Sequence, residues 1–152
     1  MNDIEQKSGA LPGALALPSK HPTREQLRAL EDELRKHPPA DIPVTHHFAD
    51  GIYGREVFIP AGTVLTGKVH RFSTLNFLMK GEIEVTTPEG MRRLRAPAIF
   101  ESPAGCKKAG YAHTDVIWVN VHPTKLKDVA SIESKFIEPE ELPAITHEGG
   151  KP

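Results

Sequence analysis

The sequence predicts an all-β domain, a barrel or sandwich of short strands preceded by one helix. From Val44 onward, apolar residues occur in short or alternating runs with a period of two, which is typical of strands. Turn-forming residues separate these runs at regular intervals. The 14 prolines and 12 glycines interrupt the chain too often for a helical bundle. Many short strands at regular spacing therefore favour a barrel or a sandwich.

The predicted helix comes first along the chain. Thr23 to Gln26 fit a capping box, and Leu27, Leu30 and Leu34 follow at helical spacing. The pair at 38–39, Pro-Pro, ends a helix because proline donates no amide hydrogen and restricts the residue before it. These signals predict a helix over 24–36 that covers one face of a sheet.

The strands are predicted from the positions of the apolar runs and the turn residues between them. The runs occupy 44–48, 53–59, 63–70, 74–79, 82–87, 91–95, 98–102, 107–112 and 115–122. A short helix is expected near 125–135. The predicted organisation is a mobile N-terminal arm (1–20), a helix and linker (21–43), the β-barrel (44–124) and a C-terminal extension (125–152).

Length, charge and cysteine content exclude several classes of protein. The 152 residues suffice for one domain with tails. Lys and Arg number 19 against 20 Asp and Glu, a net charge of −1, so we expect neither a nucleic-acid polymer nor a membrane as a partner. The single cysteine, Cys106, excludes an intramolecular disulfide and a cysteine-rich zinc site. The N-terminus lacks the basic start of a signal peptide, and we expect a cytoplasmic protein.

Two spaced motifs carry a resemblance to a known family. In the first, five residues separate Gly62 from the Lys68-Val69-His70 triplet, three more precede Thr74 and six more precede Gly81. The second has a simple order of residues: Pro97, five residues, Pro103-Ala104-Gly105, two residues, Lys108, three residues and Ala112.

This turn skeleton resembles that of the cupin family, whose members are small double-stranded β-helix barrels. It also looks like the uncharacterised cupin-like proteins that tailed phages encode. The resemblance implies a cupin-like fold for roughly 44–122. It also maps the family's four metal ligands onto Lys68, His70, Thr74 and Lys108, of which only His70 keeps a ligand type.

The substituted positions argue against the usual metal cage. A protonated lysine cannot coordinate a divalent ion, and threonine is a poor substitute for a carboxylate. We therefore predict no metal and no other cofactor. An altered site that recruits His113 or His122 beside His70 is the alternative, since three ligands can suffice.

The same substitutions predict an anion pocket. Lys68 and His70 are two residues apart, so on one strand they face the same side, and the resemblance places Lys108 opposite them. Two buried cations need a counter-charge, which a bound phosphate or carboxylate would supply. Asn76 and Tyr111 are expected to add directional hydrogen bonds, and His70 a further charge below about pH 6.5. Alternatively, the lysines reach solvent at the barrel mouth or form internal ion pairs, for instance with Glu101.

Other features are interpreted structurally. The basic run from Arg92 to Arg95 favours a solvated edge strand over a nucleic-acid contact. Cys106 lacks the His and Asn spacing of a catalytic cysteine. Trp118, Asn120 and His122 share one face of a strand, which either lines the cavity or faces outward.

The first functional hypothesis is a binding protein for a small anionic molecule, such as a nucleotide or sugar derivative. The second is a metal-dependent enzyme of dioxygenase, isomerase or epimerase type with a rearranged histidine site, and the third is a phage structural or assembly protein. Fold alone cannot choose between them. A homodimer is expected, because the arm carries Leu11, Leu15 and Leu17 but no core of its own and barrels of this type have open sheet edges.

Overall fold

The computed structural model describes residues 22–139 and 144–146. The arm over 1–20 lies outside the described residues. Two helices flank the strands, α1 (Arg24–Leu34) and α2 (Val129–Phe136). The strands are β1 (Val44–Ala49), β2 (Ile52–Ile59), β3 (Thr63–Thr66), β4 (Thr74–Lys80), β5 (Glu82–Thr87), β6 (Gly90–Arg95), β7 (Ala98–Ser102), β8 (Ala109–Ala112), β9 (Val116–Pro123) and β10 (Ala144–Thr146).

The strands form two five-stranded sheets. The first has the order β1-β2-β9-β4-β7 and the second the order β10-β3-β8-β5-β6, with antiparallel pairing throughout both. Alternate residues of each sheet point at the other sheet, and the apolar ones form a common core. Its buried members are Val57, Ile59, Leu78, Ile83, Val85, Ala112 and Val116. The predicted all-β barrel with an N-terminal helix is confirmed.

Helix α1 begins as predicted. The Thr23 hydroxyl accepts a hydrogen bond from the Gln26 amide at 3.1 Å, and the Gln26 side chain accepts from the Thr23 amide at 2.9 Å. The helix ends at Leu34, two residues earlier than expected. Its three leucines pack on the outer face of the second sheet, against Val64, Ala109, Tyr111 and Ile145.

The glycines of the two motifs lie at turns whose backbone conformation favours glycine. Gly81 has a φ of +89°, and a Cβ there would lie 2.1 Å from the carbonyl oxygen of Asp115. Gly62 and Gly105 also have positive φ values, which L-residues rarely adopt. These three positions require glycine whatever the barrel binds.

The strand predicted over 63–70 is shorter than expected. β3 ends at Thr66, and the chain from 67 to 69 is irregular. The segment after α2 takes over the hydrogen bonding here: Glu138 donates its amide hydrogen to Val69 at 3.0 Å, and Arg71 donates to Phe136 at 2.8 Å. No helix in the described residues is long and apolar enough to cross a membrane.

Candidate functional site

A cavity of about 280 Å³ lies between the two sheets. The strand register orders its wall in successive rungs. Beside α2, Tyr53 pairs with His122, and the next inward-facing rung pairs Arg55 with Asn120. Deeper rungs are apolar and follow the order Val57 with Trp118, then Ile59 with Val116. Helix α2 covers the polar end with Ile132, Glu133 and Phe136.

Four of the five predicted site residues line this cavity: Lys68, His70, Asn76 and Lys108. Tyr111 does not, and its expected hydrogen bond to a ligand is not supported. On β8 the cavity wall is formed by Gly110, so the next residue points to the opposite face. There Tyr111 packs beneath α1, with its ring 4.7 Å from that of His113.

Asn76 has a structural role in the cavity wall, because its side chain is hydrogen-bonded within the protein. Its side-chain amide donates to the Ser102 hydroxyl at 2.9 Å and to the Phe100 carbonyl at 3.2 Å. Its side-chain oxygen accepts from the Trp118 indole at 3.0 Å and from the Asn120 amide. Both ends of the group are engaged, so Asn76 fixes its neighbours and offers a ligand little.

Three cations line the polar end of the cavity, and within the described part of the chain one of them has a carboxylate partner. Lys68 Nζ lies 3.7 Å from Glu133 Oε2. Lys108 Nζ lies 3.6 Å from Cys106 Sγ, a weak acceptor. Neither Lys108 nor Arg55 has an ion-pair partner among the residues that the structure describes. Among the described lining residues, Glu133 is the sole carboxylate.

Two histidines lie against each other in the same region. The rings of His70 and His122 stack with centroids 5.4 Å apart. Burial lowers the pKa of His70 to about 4, assisted by the neighbouring His122 and by the positive charges of Arg55, Lys108 and Lys68. Burial and Arg55 also lower the pKa of His122. The expectation that His70 becomes charged below about pH 6.5 is therefore wrong.

His70 also carries an unsatisfied polar atom. Among the described residues, its buried Nδ1 has no hydrogen-bond partner. A buried orphan nitrogen costs free energy. The atom has almost no accessible surface, so the open part of the cavity does not reach it in this conformation.

Of the two histidines that an altered metal site was expected to recruit beside His70, one lies there and the other does not. His113 points away from the cavity, where its Nε2 lies 2.8 Å from Glu84 Oε1. His122, by contrast, lies beside His70. Within residues 22–139 and 144–146, no three His, Cys, Asp or Glu side chains converge as a metal-ligand set.

Sequence reasoning missed Arg55 and Glu133. Arg55 had a signal: it alternates with Tyr53, Val57 and Ile59 on an inward face where a cation is out of place. Glu133 had none, since only the packing of α2 over the barrel brings it to Lys68. The face shared by Trp118, Asn120 and His122, which the sequence left open, is the inner one.

The basic run on β6 is only partly solvated. β6 is an edge strand, as expected. The Arg93 side chain, however, is 4% exposed and lies 3.3 Å from Glu82. Arg95 pairs with the same carboxylate. Burial and the shared partner favour a role in packing.

Comparisons with known proteins support the fold. The sequence matches no protein-family profile and no curated protein. Among solved structures, ectoine synthase from P. lautus aligns with a TM-score of 0.52 at 15% identity, over 72% of this chain and 84% of that one. KdgF from Halomonas sp. aligns with a TM-score of 0.49 at 17% identity, over 63% and 94%.

An RmlC-like cupin from Shewanella frigidimarina aligns with a TM-score of 0.47 at 15% identity, over 63% of this chain and 90% of that one. Of these three alignments, the one with ectoine synthase has a TM-score above 0.5, and together with the two antiparallel sheets it supports a cupin-like barrel fold. At these identities the likeness concerns the fold alone. The resemblance to phage-encoded proteins stays a prediction.

Proposed function

We propose that this protein binds a small anion in its barrel cavity, without the metal that cupins usually hold. The observation that carries the proposal is the pair of cations, Arg55 and Lys108, that line a half-enclosed cavity and have no carboxylate partner among the described residues. Partly buried charges of one sign are costly unless an opposite charge joins them. A bound anion is that missing charge.

The three groups available to a ligand complement one another chemically. Arg55 presents a planar guanidinium that suits the paired oxygens of a carboxylate or phosphate. Lys108 adds a point charge, and His70 lines the same cavity with a ring whose pKa is lowered to about 4 by burial and the neighbouring charges. Phosphate- or carboxylate-bearing molecules, including nucleotide and sugar derivatives, are the candidate class.

A metal-dependent enzyme is the second candidate, favoured by one observation. The rings of His70 and His122 stack in the wall of the cavity, which Cys106 and Glu133 also line at other points. Imidazole suits Zn, Fe, Ni and Cu. Elemental analysis of protein purified without a histidine tag distinguishes the candidates: a stoichiometric transition metal favours the enzyme, and its absence favours anion binding.

We also propose a homodimer. The first sheet exposes apolar side chains on its outer face, among them Leu75, Met79 (60% exposed) and Ile99 (64% exposed). A second copy would cover this face by a two-fold contact of the same patch on itself. We expect a dimer in sedimentation at micromolar concentration and a monomer after Met79→Glu with Ile99→Glu. A wild-type monomer would rule out this arrangement.

Thermal shift measurements with a panel of nucleotides, sugar phosphates and carboxylates test the binding proposal. We expect at least one anion to raise the melting temperature of the wild type, and Arg55→Met or Lys108→Met to weaken its binding about ten- to a hundredfold. Lys80→Met, which removes an exposed charge outside the cavity, is the matched control. The proposal fails if no anion stabilises the wild type, or if all three variants bind a stabilising anion equally.

A further inference from the structure

We infer that the anion carries an apolar body, an aryl ring or a branched alkyl group, which fills the inner end of the cavity while its charged group lies beneath α2. This inference rests on the proposed function and narrows its ligand class. It favours aryl or alkyl phosphates and carboxylates over sugar phosphates.

The cavity changes from polar to apolar within one inward-facing step of its strands. On β2, Arg55 is followed on the same face by Val57 and Ile59. Successive same-face residues of a strand are roughly 7 Å apart, so the two environments lie within the length of a small ligand. The facing sheet continues the apolar end with Leu65, Ile83 and Val85.

The apolar end offers few hydrogen bonds to a polar ligand. Trp118 brings a side-chain donor to this part of the wall, and its indole nitrogen already donates to Asn76. The lining backbone of β5, β8 and β9 is paired within the sheets. Sugar hydroxyls placed here would lose their water without gaining partners, which opposes binding. An aryl or alkyl group would instead gain from leaving water.

The cavity volume fits such a ligand. An apolar cavity of roughly 150 Å³ is enough to hold benzene. The present cavity of about 280 Å³ leaves space for a ring together with a phosphate or carboxylate group. Gly110 helps to keep this space open, since its backbone forms part of the wall where other residues would project a side chain.

Calorimetric titration of the full chain with matched probes tests the inference. Phenyl phosphate and glucose 6-phosphate share a head group and differ in the body, phenylacetate replaces phosphate by carboxylate, and inorganic phosphate has no body. We expect phenyl phosphate or phenylacetate to bind at least about tenfold tighter than glucose 6-phosphate and inorganic phosphate. Whether phosphate or carboxylate is preferred identifies the head group.

Each contrary result has a distinct meaning. If glucose 6-phosphate binds as tightly as phenyl phosphate, the apolar-body inference is overturned and anion binding stands. If inorganic phosphate binds as tightly as every larger probe, the body contributes nothing and the inference is likewise overturned. If none of the probes binds, the apolar-body inference is overturned, and the thermal shift panel decides separately whether anion binding stands.

Substitution of the apolar wall gives an independent test. Val57→Thr adds a hydroxyl to the apolar end with little change in shape, and it should weaken phenyl phosphate roughly tenfold while sparing inorganic phosphate. Val119→Thr, on the outward-facing side of β9, is the matched control. Val85→Thr repeats the test on the other sheet if the first variant folds poorly. Equal effects on both probes, or no effect on either, would contradict the inference.

Discussion

Two adjacent lysines on the segment before β8 have opposite environments. Lys107 lies under α1, where its ammonium is 2.6 Å from Glu31 and both side chains are 4% exposed. The hydroxyl of Thr66 donates to the same carboxylate at 2.9 Å. Lys108 lines the cavity, where its ammonium lies 3.6 Å from the weak acceptor Cys106 Sγ. The first lysine has its counter-charge within the protein, whereas we propose that the second receives one from a bound anion.

The largest expected effect on the free energy of unfolding is that of Lys107, the lysine under α1. Lys107→Met should destabilise the fold by about 3–5 kcal/mol, because it leaves Glu31 charged and buried without its cation. Lys108→Met should be neutral or slightly stabilising in the absence of ligand, because it relieves charge repulsion. Urea unfolding of both variants measures the difference. Equal destabilisation by the two substitutions would show that the environments do not differ as described.

The second largest effect is expected from acid, which should lower the stability of the fold through His70. The folded-state pKa of His70 is about 4 and the unfolded value about 6.5, so the unfolded chain binds the proton first and stability falls as the pH drops from about 6.5 to 4. The pKa difference corresponds to a loss of up to about 3 kcal/mol. The charged and titratable groups around the ring include Arg55, Lys68, Lys108, His122 and Glu133.

Unfolding followed across this pH range tests the assignment. His70→Gln should flatten the acid dependence, although His122 retains a part because its pKa is also lowered. His47→Gln, at an exposed position on β1 where the ring pairs with Glu56 at the surface, is the control and should change the profile less than His70→Gln does. If both variants keep the wild-type profile, His70 is not the group responsible.

The smallest effect is expected at Lys68. It has a carboxylate partner, as Lys107 does, but it also lines the cavity, as Lys108 does. Its pairing with Glu133 at 3.7 Å is partly solvated, with side-chain exposures of 34% and 42%. Such a pair contributes roughly 0–1 kcal/mol, so Lys68→Met should change stability little and anion affinity less than Lys108→Met does. Parallel titrations of the two variants measure this order, and a larger loss at Lys68 would reverse the assigned roles.

The sequence was sufficient for features that depend on local chemistry. The capping box at Thr23 predicted where α1 begins. The apolar residues with a period of two, together with the glycines at the turns, predicted most of the strand bounds closely. The convergence of Lys68, His70 and Lys108 followed from the motif resemblance, which encodes non-local neighbours. The prediction that Tyr111 lines the cavity was wrong, because alternation along a strand does not tell which of its two faces points inward. In β8 that choice depends on which residue meets α1.

The remaining site residues depend on packing that no local pattern reports. Arg55 reaches the cavity because β2 pairs with β9 in a register that puts it beside Asn120. Glu133 meets Lys68 only because α2 returns over the barrel. The neutral state of His70 likewise reflects burial and several charges brought together from separate strands.

The most direct test of the account is a double-mutant cycle on Arg55 and Lys108, with phenyl phosphate titrated into the wild type, the two single Met variants and the double variant. We predict a loss of about ten- to a hundredfold for each single variant and a larger loss for the double variant, with folding retained in all four proteins. A double variant that binds phenyl phosphate as tightly as the wild type would contradict the claim that these two cations bind the anion.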